Sequence, residues 1–374
     1  MREITILYDG GGYTFTWLKP LLWAQEYFEK RGCRIKMYSI LDYLPFFNSY
    51  FGRLGWEQEK LSKACKKKMD IVFLAFHHST SWLGTCDTVT RISILEKIRT
   101  NSNIVCWFDT ADSTGTCLFD VMPYVDVYFK KQRLIDIEDY TKPYYGGRYF
   151  CQYYHDLLGV EDEGLNKRDY PPCPSKYLGK IKISWNLGFS DLFEDTSLMS
   201  VCHMKTMKKP QWGRDPRVIY DLHYRGRSIS SLIGYQRNYL STFLESQNQL
   251  KHPDPKIRVS KKHFQQELKR SKTVLSPFGW GEVCFRDFEA FAYGATLLKP
   301  SMSHCETWPG VYLENETYVP IKWDFSNLRD VMAGIGSEEY EQIAQRGFQQ
   351  YKMIMCEEDA KDIFAKHIID NIPV

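Results

Sequence analysis

The sequence lacks any long apolar run, any cysteine pair at metal-binding spacing and any low-complexity tract. No stretch of its 374 residues approaches the ~20 apolar residues that a membrane-spanning helix needs. The eleven cysteines are scattered, with no CxxC pair and no cluster with histidine, which excludes a zinc site of the usual spacing. We therefore expect a chain that binds no metal and is either soluble or in peripheral contact with a membrane.

A secretory leader and a disulfide framework are not indicated either. The first residues, MREITILYDGGG, have the pattern of a strand and a turn. Scattered cysteines without a leader predict free, mostly buried thiols in a reducing compartment. We expect a cytoplasmic protein. The aromatic stretch at 43–56 is a candidate for contact with the inner face of a membrane, or else an ordinary buried loop.

Charge is unevenly distributed along the chain, although the net charge is only +3. Residues 201–275 contain sixteen Lys and Arg against five Asp and Glu, an excess of +11, so the rest of the chain carries −8. A basic segment of this kind indicates an anionic ligand such as a phosphate, or simply a solvated helix face. No nucleic-acid-binding motif is present, so we expect no nucleic-acid partner.

The hydrophobic pattern predicts two βα domains in tandem. Short, continuously apolar strands alternate with helices, which is typical of parallel sheets covered on both faces. In the N-terminal half the predicted strands are 3–9, 33–40, 69–78, 103–109 and 124–131, with helices near 16–31, 56–68 and 87–99. In the C-terminal half they are 180–189, 217–227, 256–260, 272–279 and 295–300, with helices near 229–247, 261–270 and 285–294.

A polar segment with three prolines, 160–180, has the composition of a linker between the two halves. We predict an N-terminal Rossmann-like domain over 1–179, a second one over 180–350, and a C-terminal helix within 351–374 that crosses back to the first. The expected fold class is α/β, with two Rossmann-like βαβ domains facing across a cleft.

Ligands of open α/β sheets bind at the carboxyl ends of the strands, so polar residues just after the predicted strands are the candidates for a site. In the N-terminal half these are Asp9 with Gly11 and Gly12, His77, and Asp109 with Asp112. The run DGGG is not a GxGxxG fingerprint, so a dinucleotide is not indicated. The glycines indicate either close approach of a second molecule or a plain tight turn. The aspartates are candidates for a general base, or simply cap the following helix.

The C-terminal half has a glycine-rich loop between a strand and a helix, SPFGWGEVCFRDFE at 276–289. Such a loop brings free backbone N–H groups and the positive end of a helix to one point, which suits a phosphate. Arg225 and Arg227 follow a neighbouring strand, and guanidinium groups clamp phosphates. Arg286 and Glu289 lie one turn apart among apolar residues, so they either bind a ligand or form an internal ion pair.

The segment KTVLSPFGWGEVCFRDFEAFAYGATLLKP resembles the donor-binding segment of GT-B glycosyltransferases, with the SPxG…R…EA…GA pattern of bacterial polysaccharide and exostosin-like enzymes. The neighbouring DLHYRGR and WPGVYLENETYVPIKWDFSNL resemble the same domain, so the likeness covers about 215–350. It implies a nucleotide-diphosphate sugar in the C-terminal domain, a glycan or lipid-linked acceptor on the N-terminal domain, and no further cofactor. The implied donor contacts are Glu289 with the ribose, and Arg286 and the loop with Ser276, Gly279 and Gly281 with the diphosphate or sugar.

One departure from that pattern concerns stereochemistry. Many retaining members have two glutamates eight positions apart, but the position eight before Glu289 is Gly281, and Glu282 is one residue out of register. We therefore expect inversion, with Asp109, Asp112 or His77 as general base and arginines in place of a metal ion. Two alternatives remain: a nucleotide-sugar epimerase, and a non-catalytic two-domain protein that binds an anionic ligand. Nothing in the sequence indicates the oligomeric state.

Overall fold

The protein is described by a computed structural model covering residues 1–37, 50–159, 161–162, 170–190, 192–193, 205–226, 229, 231–255, 257–356 and 359–373. In these ranges the chain forms two parallel sheets with helices packed against them, and cavities lined by both halves lie in the cleft between them. The predicted fold class, two Rossmann-like βαβ domains facing across a cleft, is confirmed. The first half of the aromatic stretch at 43–56, residues 43–49, lies outside the described residues, and the second half belongs to a helix.

The N-terminal sheet contains six parallel strands. The strands of this half are β1 (Arg2–Tyr8), β2 (Cys33–Met37), β3 (Met69–Ala75), β4 (Ser102–Phe108), β5 (Val127–Lys130), β6 (Gln132–Leu134) and β7 (Ile181–Ile183). The sheet order is β2-β1-β3-β4-β5-β7, and β6 lies outside it. The helices are α1 (Gly12–Trp23), α2 (Gln25–Lys30), α3 (Tyr50–Ala64), α4 (Trp82–Thr85), α5 (Thr88–Thr100) and α6 (Tyr149–Leu158).

Both faces of this sheet are buried, which is why its strands read as continuous apolar runs. Along β1 the side chains alternate, so that Ile4 and Ile6 join one apolar cluster and Leu7 joins the other. The strand predicted at 180–189 forms only over Ile181–Ile183, and it pairs in parallel with β5. The N-terminal sheet therefore extends past residue 179, while the predicted division into domains stays a prediction.

The C-terminal sheet has four parallel strands in the order β12-β10-β9-β8. Its half of the chain contains β8 (Tyr220–His223), β9 (Ser271–Leu275), β10 (Thr296–Pro300), β11 (Cys305–Thr307) and β12 (Val319–Ile321), and the helices α7 (Tyr235–Glu245), α8 (Lys261–Lys269), α9 (Phe285–Tyr293), α10 (Leu328–Ala333), α11 (Glu338–Cys356) and α12 (Ala360–Asp370). The strand predicted at 256–260 is wrong over its described part, 257–260, which is irregular. In this segment the Ile257 carbonyl accepts a hydrogen bond from the Arg225 guanidinium and not from a neighbouring strand.

Among the contacts that join the halves, two involve pairs of strands or helices. First, β6 and β11, which follow β5 and β10 along the chain, pair in a short antiparallel ladder. Second, α12 packs on the N-terminal helices, where Phe364 is fully buried and Asp362 forms an ion pair of 2.7 Å with Arg31. Because both sheets end at this junction, the loops that follow their strands face one another.

Candidate active site

Two cavities occupy the cleft, and Asp112 and Trp280 line both of them. The loop cavity, of about 340 Å³, is bounded by Arg237, Gly279, Arg286 and Glu289 of the C-terminal half and by Tyr13 of the N-terminal half. The histidine cavity, of about 500 Å³, is bounded by His77, His78, Thr116 and Arg148 on one side and by Ser231 and Ile233 on the other. The two cavities therefore meet where Asp112 faces Trp280.

The glycine-rich loop is held from below by one buried carboxylate, that of Asp287. It accepts hydrogen bonds from the Ser276 hydroxyl at 2.5 Å, the Cys284 backbone N–H at 3.0 Å and the Tyr312 hydroxyl at 2.8 Å. The Lys299 ammonium lies 2.9 Å away. Ser276 is fully buried by this network. The expectation that Ser276 contacts a ligand is therefore corrected, because its hydroxyl anchors the loop and does not line the cavity.

Two arginines give the loop cavity an uncompensated positive charge. Arg286 donates to the carbonyls of Leu275 and Arg225, and Arg237 donates to the carbonyl of Phe278. Neither guanidinium forms a salt bridge with a carboxylate in the described part of the chain. Burial lowers the pKa of Arg237, and the neighbouring Arg286 acts in the same direction. Two positive charges held close together in a partly buried cavity favour a negative group between them.

Other groups approach the backbone closely at two glycines of the loop, and at Gly281, where the neighbour is itself backbone, no side chain fits. A Cβ at Gly279 would lie 2.4 Å from Arg237 Nη2, and a Cβ at Gly281 would lie 1.5 Å from the backbone carbonyl oxygen of Asp112. Both glycines line the loop cavity as expected. Gly281 also lets the two halves of the molecule touch through their backbones.

Arg225 does not reach the loop cavity. Its guanidinium binds Glu267 in a two-pronged ion pair at 2.7 Å and also donates to the Asp254 carbonyl. Burial acts to raise the pKa of Glu267, but Arg225 and His223 together outweigh it and the pKa is lowered. The expectation that Arg225 clamps a phosphate is corrected by this pairing, and Arg227 lies outside the described residues.

Glu289 lines the loop cavity and is only 6% exposed. Burial raises the pKa of Glu289 to about 7, against the opposing effect of Arg286. Arg286 and Glu289 therefore both line this cavity, but they do not form the internal salt bridge that was the alternative interpretation. A carboxyl group of this kind changes its charge near neutral pH.

The raised pKa of Glu289 makes a prediction about stability. Because the folded protein holds this proton more tightly than the unfolded chain, Glu289 should lose stabilising effect as pH rises from about 5 to about 8. Glu289→Gln removes the titration, so its free energy of unfolding relative to the parent should increase over that range by up to about 3 kcal/mol. Urea unfolding of both proteins at several pH values measures the difference. Parallel curves would contradict the raised pKa.

Asp112 is the carboxylate that faces the cleft. Its Oδ1 accepts hydrogen bonds from the Tyr13 hydroxyl at 2.9 Å and from Lys131 Nζ at 3.0 Å, while its Oδ2 has no partner among the described residues. Burial acts to raise the pKa of Asp112, but the Lys131 ammonium outweighs it and the pKa lies below its ordinary value. The side chain is 34% exposed. Asp112 is therefore an ionised carboxylate with one free oxygen at the junction of the cavities.

Asp109 is buried away from both cavities. Its carboxylate binds Lys130 Nζ at 2.7 Å and the Tyr128 hydroxyl at 3.0 Å, and it accepts the Ala111 backbone N–H at 2.8 Å. It is only 2% exposed. The expectation that Asp109 is a candidate base is corrected, because these partners use both of its oxygens.

The carboxylate of Asp9, in the DGGG turn after β1, is also used in hydrogen bonds within the N-terminal half. Asp9 accepts the Gly11 backbone N–H at 2.7 Å, the Thr14 hydroxyl at 2.9 Å and the His77 backbone N–H at 2.9 Å. Gly11 precedes α1 and Gly12 is its first residue. The expected acceptor-side role of Asp9, Gly11 and Gly12 does not match this placement, since none of them lines either cavity in the described structure. Asp9 instead positions the loop that carries His77.

His77 and His78 line the histidine cavity with their rings stacked at 4.8 Å. Burial, together with the adjacent His77, lowers the pKa of His78 to about 4, so its ring is neutral at neutral pH. Its Nδ1 is buried without a partner in the described ranges. The sequence candidate His77 is thus brought to the same cavity as Asp112.

Glu282 joins the glycine-rich loop to the N-terminal half. Its buried carboxylate accepts hydrogen bonds from the Thr114 backbone N–H at 2.9 Å, the Thr114 hydroxyl at 2.7 Å and the Ser113 hydroxyl at 3.2 Å. From the N-terminal half, Arg148 Nε donates to the Trp280 carbonyl at 3.0 Å. These bonds fix the loop across the cleft and point Glu282 away from the loop cavity.

Removing the Glu282 carboxylate should therefore destabilise the protein strongly. Glu282→Ala leaves buried donors of Ser113 and Thr114 without an acceptor, which costs about 2–3 kcal/mol. The matched control is Glu306→Ala, which removes a 2.8 Å ion pair to Arg133 between the same two halves at a side chain that is 44% exposed. That change should cost less than about 1 kcal/mol. Equal losses in urea unfolding would show that Glu282 is not the main link.

Three residues at the site were not identified from the sequence: Arg237, Arg148 and Trp280. Arg237 gave a usable signal, because no acidic residue lies within four positions of it in the sequence and a local salt bridge is thereby excluded. Trp280 lies inside the glycine-rich loop and is 56% exposed. Arg148 follows two glycines, which gave no indication of its partners.

Three general features of the described residues concern metal binding, membrane crossing and disulfides. Within the ranges that the structure covers, no His, Cys, Asp and Glu side chains are grouped so as to hold a metal ion. Over the same part of the chain, no helix combines the length and the apolar character that a membrane crossing requires. The described cysteines are unpaired and mostly buried.

No protein-family model matches the chain, and no curated protein is significantly similar to it in sequence. Solved structures match over nearly its whole length. An α-glucosyltransferase in complex with UDP has a TM-score of 0.40 and 11% identity, over 97% of this chain and 100% of that one. Anabaena HepE in complex with UDP and glucose has a TM-score of 0.45 and 10% identity, over 99% of this chain and 98% of that one. A glycosyltransferase from Rickettsia africae ESF-5 has a TM-score of 0.44 and 10% identity, over 99% of this chain and 97% of that one. Likenesses this low assign no activity to the chain.

Proposed function

We propose that this chain is a glycosyltransferase that moves a sugar from a nucleotide-diphosphate sugar to a glycan or lipid-linked glycan. The observation that carries the proposal is the pair Arg237 and Arg286, which line the loop cavity without a carboxylate partner in the described residues. The cavity lies at the N-terminus of α9, whose positive end favours an anion. A diphosphate would compensate all three sources of positive potential.

The donor would lie in the loop cavity with its diphosphate between the two arginines. Bidentate guanidinium contacts would stabilise the negative charge that develops on the leaving diphosphate, in the role a metal ion has in other enzymes. Glu289 lies one helical turn beyond Arg286 and lines the same cavity, so it would accept a hydrogen bond from a ribose or sugar hydroxyl. We propose that no metal ion is needed.

The acceptor hydroxyl would reach Asp112 from the histidine cavity. The free Oδ2 of Asp112 would accept the hydroxyl proton while the oxygen attacks the anomeric carbon, as general-base catalysis requires. Tyr13 and Lys131, which hold Oδ1, would keep the carboxylate oriented. His77, on the same cavity, is the second candidate base.

An inverting reaction is the form that the site supports. A retaining enzyme of the resembled type has a glutamate at the position of Gly281, where a side chain would collide with the Asp112 backbone. The adjacent Glu282 is committed to Ser113 and Thr114. We also propose that the protein acts in the cytoplasm in cell-surface polysaccharide assembly, on the likeness of residues 272–300 to enzymes of that kind.

The test is binding and turnover with a panel of nucleotides. UDP, GDP and dTDP should be titrated by calorimetry, and the corresponding nucleotide sugars should then be assayed for nucleotide release with and without added glycans, in the presence and absence of EDTA. We expect one nucleotide to bind and its sugar to be transferred in EDTA. No binding of any nucleotide would contradict the proposal. Sugar conversion without an acceptor would indicate an epimerase, and binding without turnover would indicate a non-catalytic protein.

A further inference from the structure

The histidine cavity is a separate ligand site with its own charge. Its volume of about 500 Å³ lies in the range of small-molecule sites. Both halves of the molecule line it, and a donor in the loop cavity would leave it open on the far side of Asp112 and Trp280. Its contents therefore have to be inferred from its own lining.

Arg148 gives this cavity one unpaired positive charge. The residue is 6% exposed, and a guanidinium has five N–H groups, of which Arg148 uses two, on the carbonyls of Trp280 and Gly146 at 3.0 Å each. Its other N–H groups have no partner among the described residues. No described carboxylate forms a salt bridge with it, and Asp112, on the same cavity, is already paired with Lys131.

Neither imidazole of the cavity supplies a negative charge that could pair with Arg148. His78 is neutral at neutral pH, and its buried Nδ1 has no partner in the described part of the chain. A buried guanidinium is costly unless an anion pairs with it. The free donors of Arg148 therefore suit a carboxylate or a phosphate, which accepts two parallel N–H bonds.

Trp280 supplies an apolar wall to the same cavity. Its side chain is 56% exposed, although its backbone is held by Arg148 and its neighbours Gly281 and Glu282 contact the N-terminal half. A large exposed aromatic ring on an anchored backbone presents a flat face for a ligand with an apolar side, such as a sugar ring. The cavity thus combines an anion contact with a stacking surface.

We propose that the histidine cavity binds a sugar that carries a carboxylate or a phosphate, with the anion on Arg148 and the sugar ring against Trp280. The inference rests on the proposed function, because this acidic sugar would be the acceptor. Asp112 lines both cavities, so a hydroxyl of the bound sugar would lie between Asp112 Oδ2 and the donor.

The test compares charged and neutral sugars on the full chain. Glucuronate, glucose 6-phosphate, inorganic phosphate and glucose should be titrated by ligand-observed NMR with the loop cavity saturated by UDP. Both charged sugars should bind at least about tenfold more tightly than glucose, a difference of about 1.4 kcal/mol. They should also exceed inorganic phosphate, which lacks the ring. Comparison of glucuronate with glucose 6-phosphate distinguishes an acidic sugar from a phosphorylated one.

Two variants separate the contributions. Arg148→Gln should abolish the preference for charged sugars, whereas Arg148→Lys should keep part of it. Trp280→Ala should weaken the three sugars alike and leave the preference unchanged. If UDP does not bind, the titrations are repeated with GDP or dTDP, whichever binds, and, if neither binds, in Arg237→Ala/Arg286→Ala, where the loop cavity no longer attracts anions, so the two proposals fail separately. Equal affinities for glucuronate and glucose, or a preference that survives Arg148→Gln, would overturn the inference.

Discussion

Arg286→Ala should lower the affinity for the bound nucleoside diphosphate by about 30- to 1,000-fold, the equivalent of about 2–4 kcal/mol. Arg286 and Arg237 are the charges that the loop cavity offers to a diphosphate, and neither is paired with a described carboxylate. Calorimetric titration with UDP, GDP and dTDP measures the loss. Arg286→Lys should retain part of the affinity, because the charge stays but the planar fork is lost.

The same variant should not destabilise the free protein. Relief of the repulsion between the two neighbouring arginines offsets the loss of the hydrogen bonds to the Leu275 and Arg225 carbonyls, so the melting temperature of Arg286→Ala without nucleotide should stay near that of the parent. Arg217→Ala is the matched control, since Arg217 lies in the basic segment 201–275 of the same half of the chain, does not line the loop cavity and has a side chain that is 78% exposed. It should leave nucleotide affinity unchanged. Equal losses in the two variants would mean that the whole basic segment, and not the cavity, attracts the nucleotide.

Asp112→Asn should reduce kcat by about 10²- to 10⁴-fold while nucleotide affinity changes little. The amide keeps the shape of the side chain and can still accept from Tyr13, but it cannot take a proton from the acceptor. The rate is measured by single-turnover transfer from the nucleotide sugar that the panel identifies as the donor, and the nucleotide affinity is measured by calorimetry. A variant with an unchanged rate would exclude Asp112 as the base and direct attention to His77.

Asp109→Asn is the control for Asp112→Asn. Both changes leave a buried lysine, Lys130 or Lys131, without its carboxylate, but Asp112 is 34% exposed, so Asp112→Asn should lose less stability and more rate than Asp109→Asn. Asp109 is buried against Lys130, so neutralising it leaves an unpaired buried ammonium and should cost about 3–5 kcal/mol of stability. Where the variant is folded, at low temperature, its rate should remain near that of the parent. The pair tests whether stability and catalysis are divided between two aspartates that stand three positions apart.

The difference between these two aspartates illustrates how far the sequence reaches. Both follow β4 and both were equal candidates, because the pattern of an apolar strand before a polar loop does not say which side chain faces the cleft. Lys130 pairs with Asp109 across 21 residues, and Lys131 pairs with Asp112 across 19. Two adjacent lysines, Lys130 at the end of β5 and Lys131 just after it, thus pair with one aspartate in the interior and with the other at the cavities.

The arginines show the same limit. The basic segment indicated an anionic ligand, but Arg225 is neutralised by Glu267, which lies 42 residues away, and Arg237 was not singled out although it faces the cavity. Ser276 belongs to the motif and yet anchors the loop to Asp287. In each case a partner distant in sequence decides whether a polar group is available to a ligand.

The sequence by itself determined the alternation of strands and helices and the loop that precedes α9. It could do so because periodicity and glycine placement are local properties of the chain. The tertiary structure alone decided that Gly281 meets the Asp112 backbone, that Glu282 crosses to Thr114 over 168 residues, and that two cavities share Asp112 and Trp280. The physical reason is that a site in a cleft is made of contacts between two sheets, and such contacts leave no periodic signal in either one.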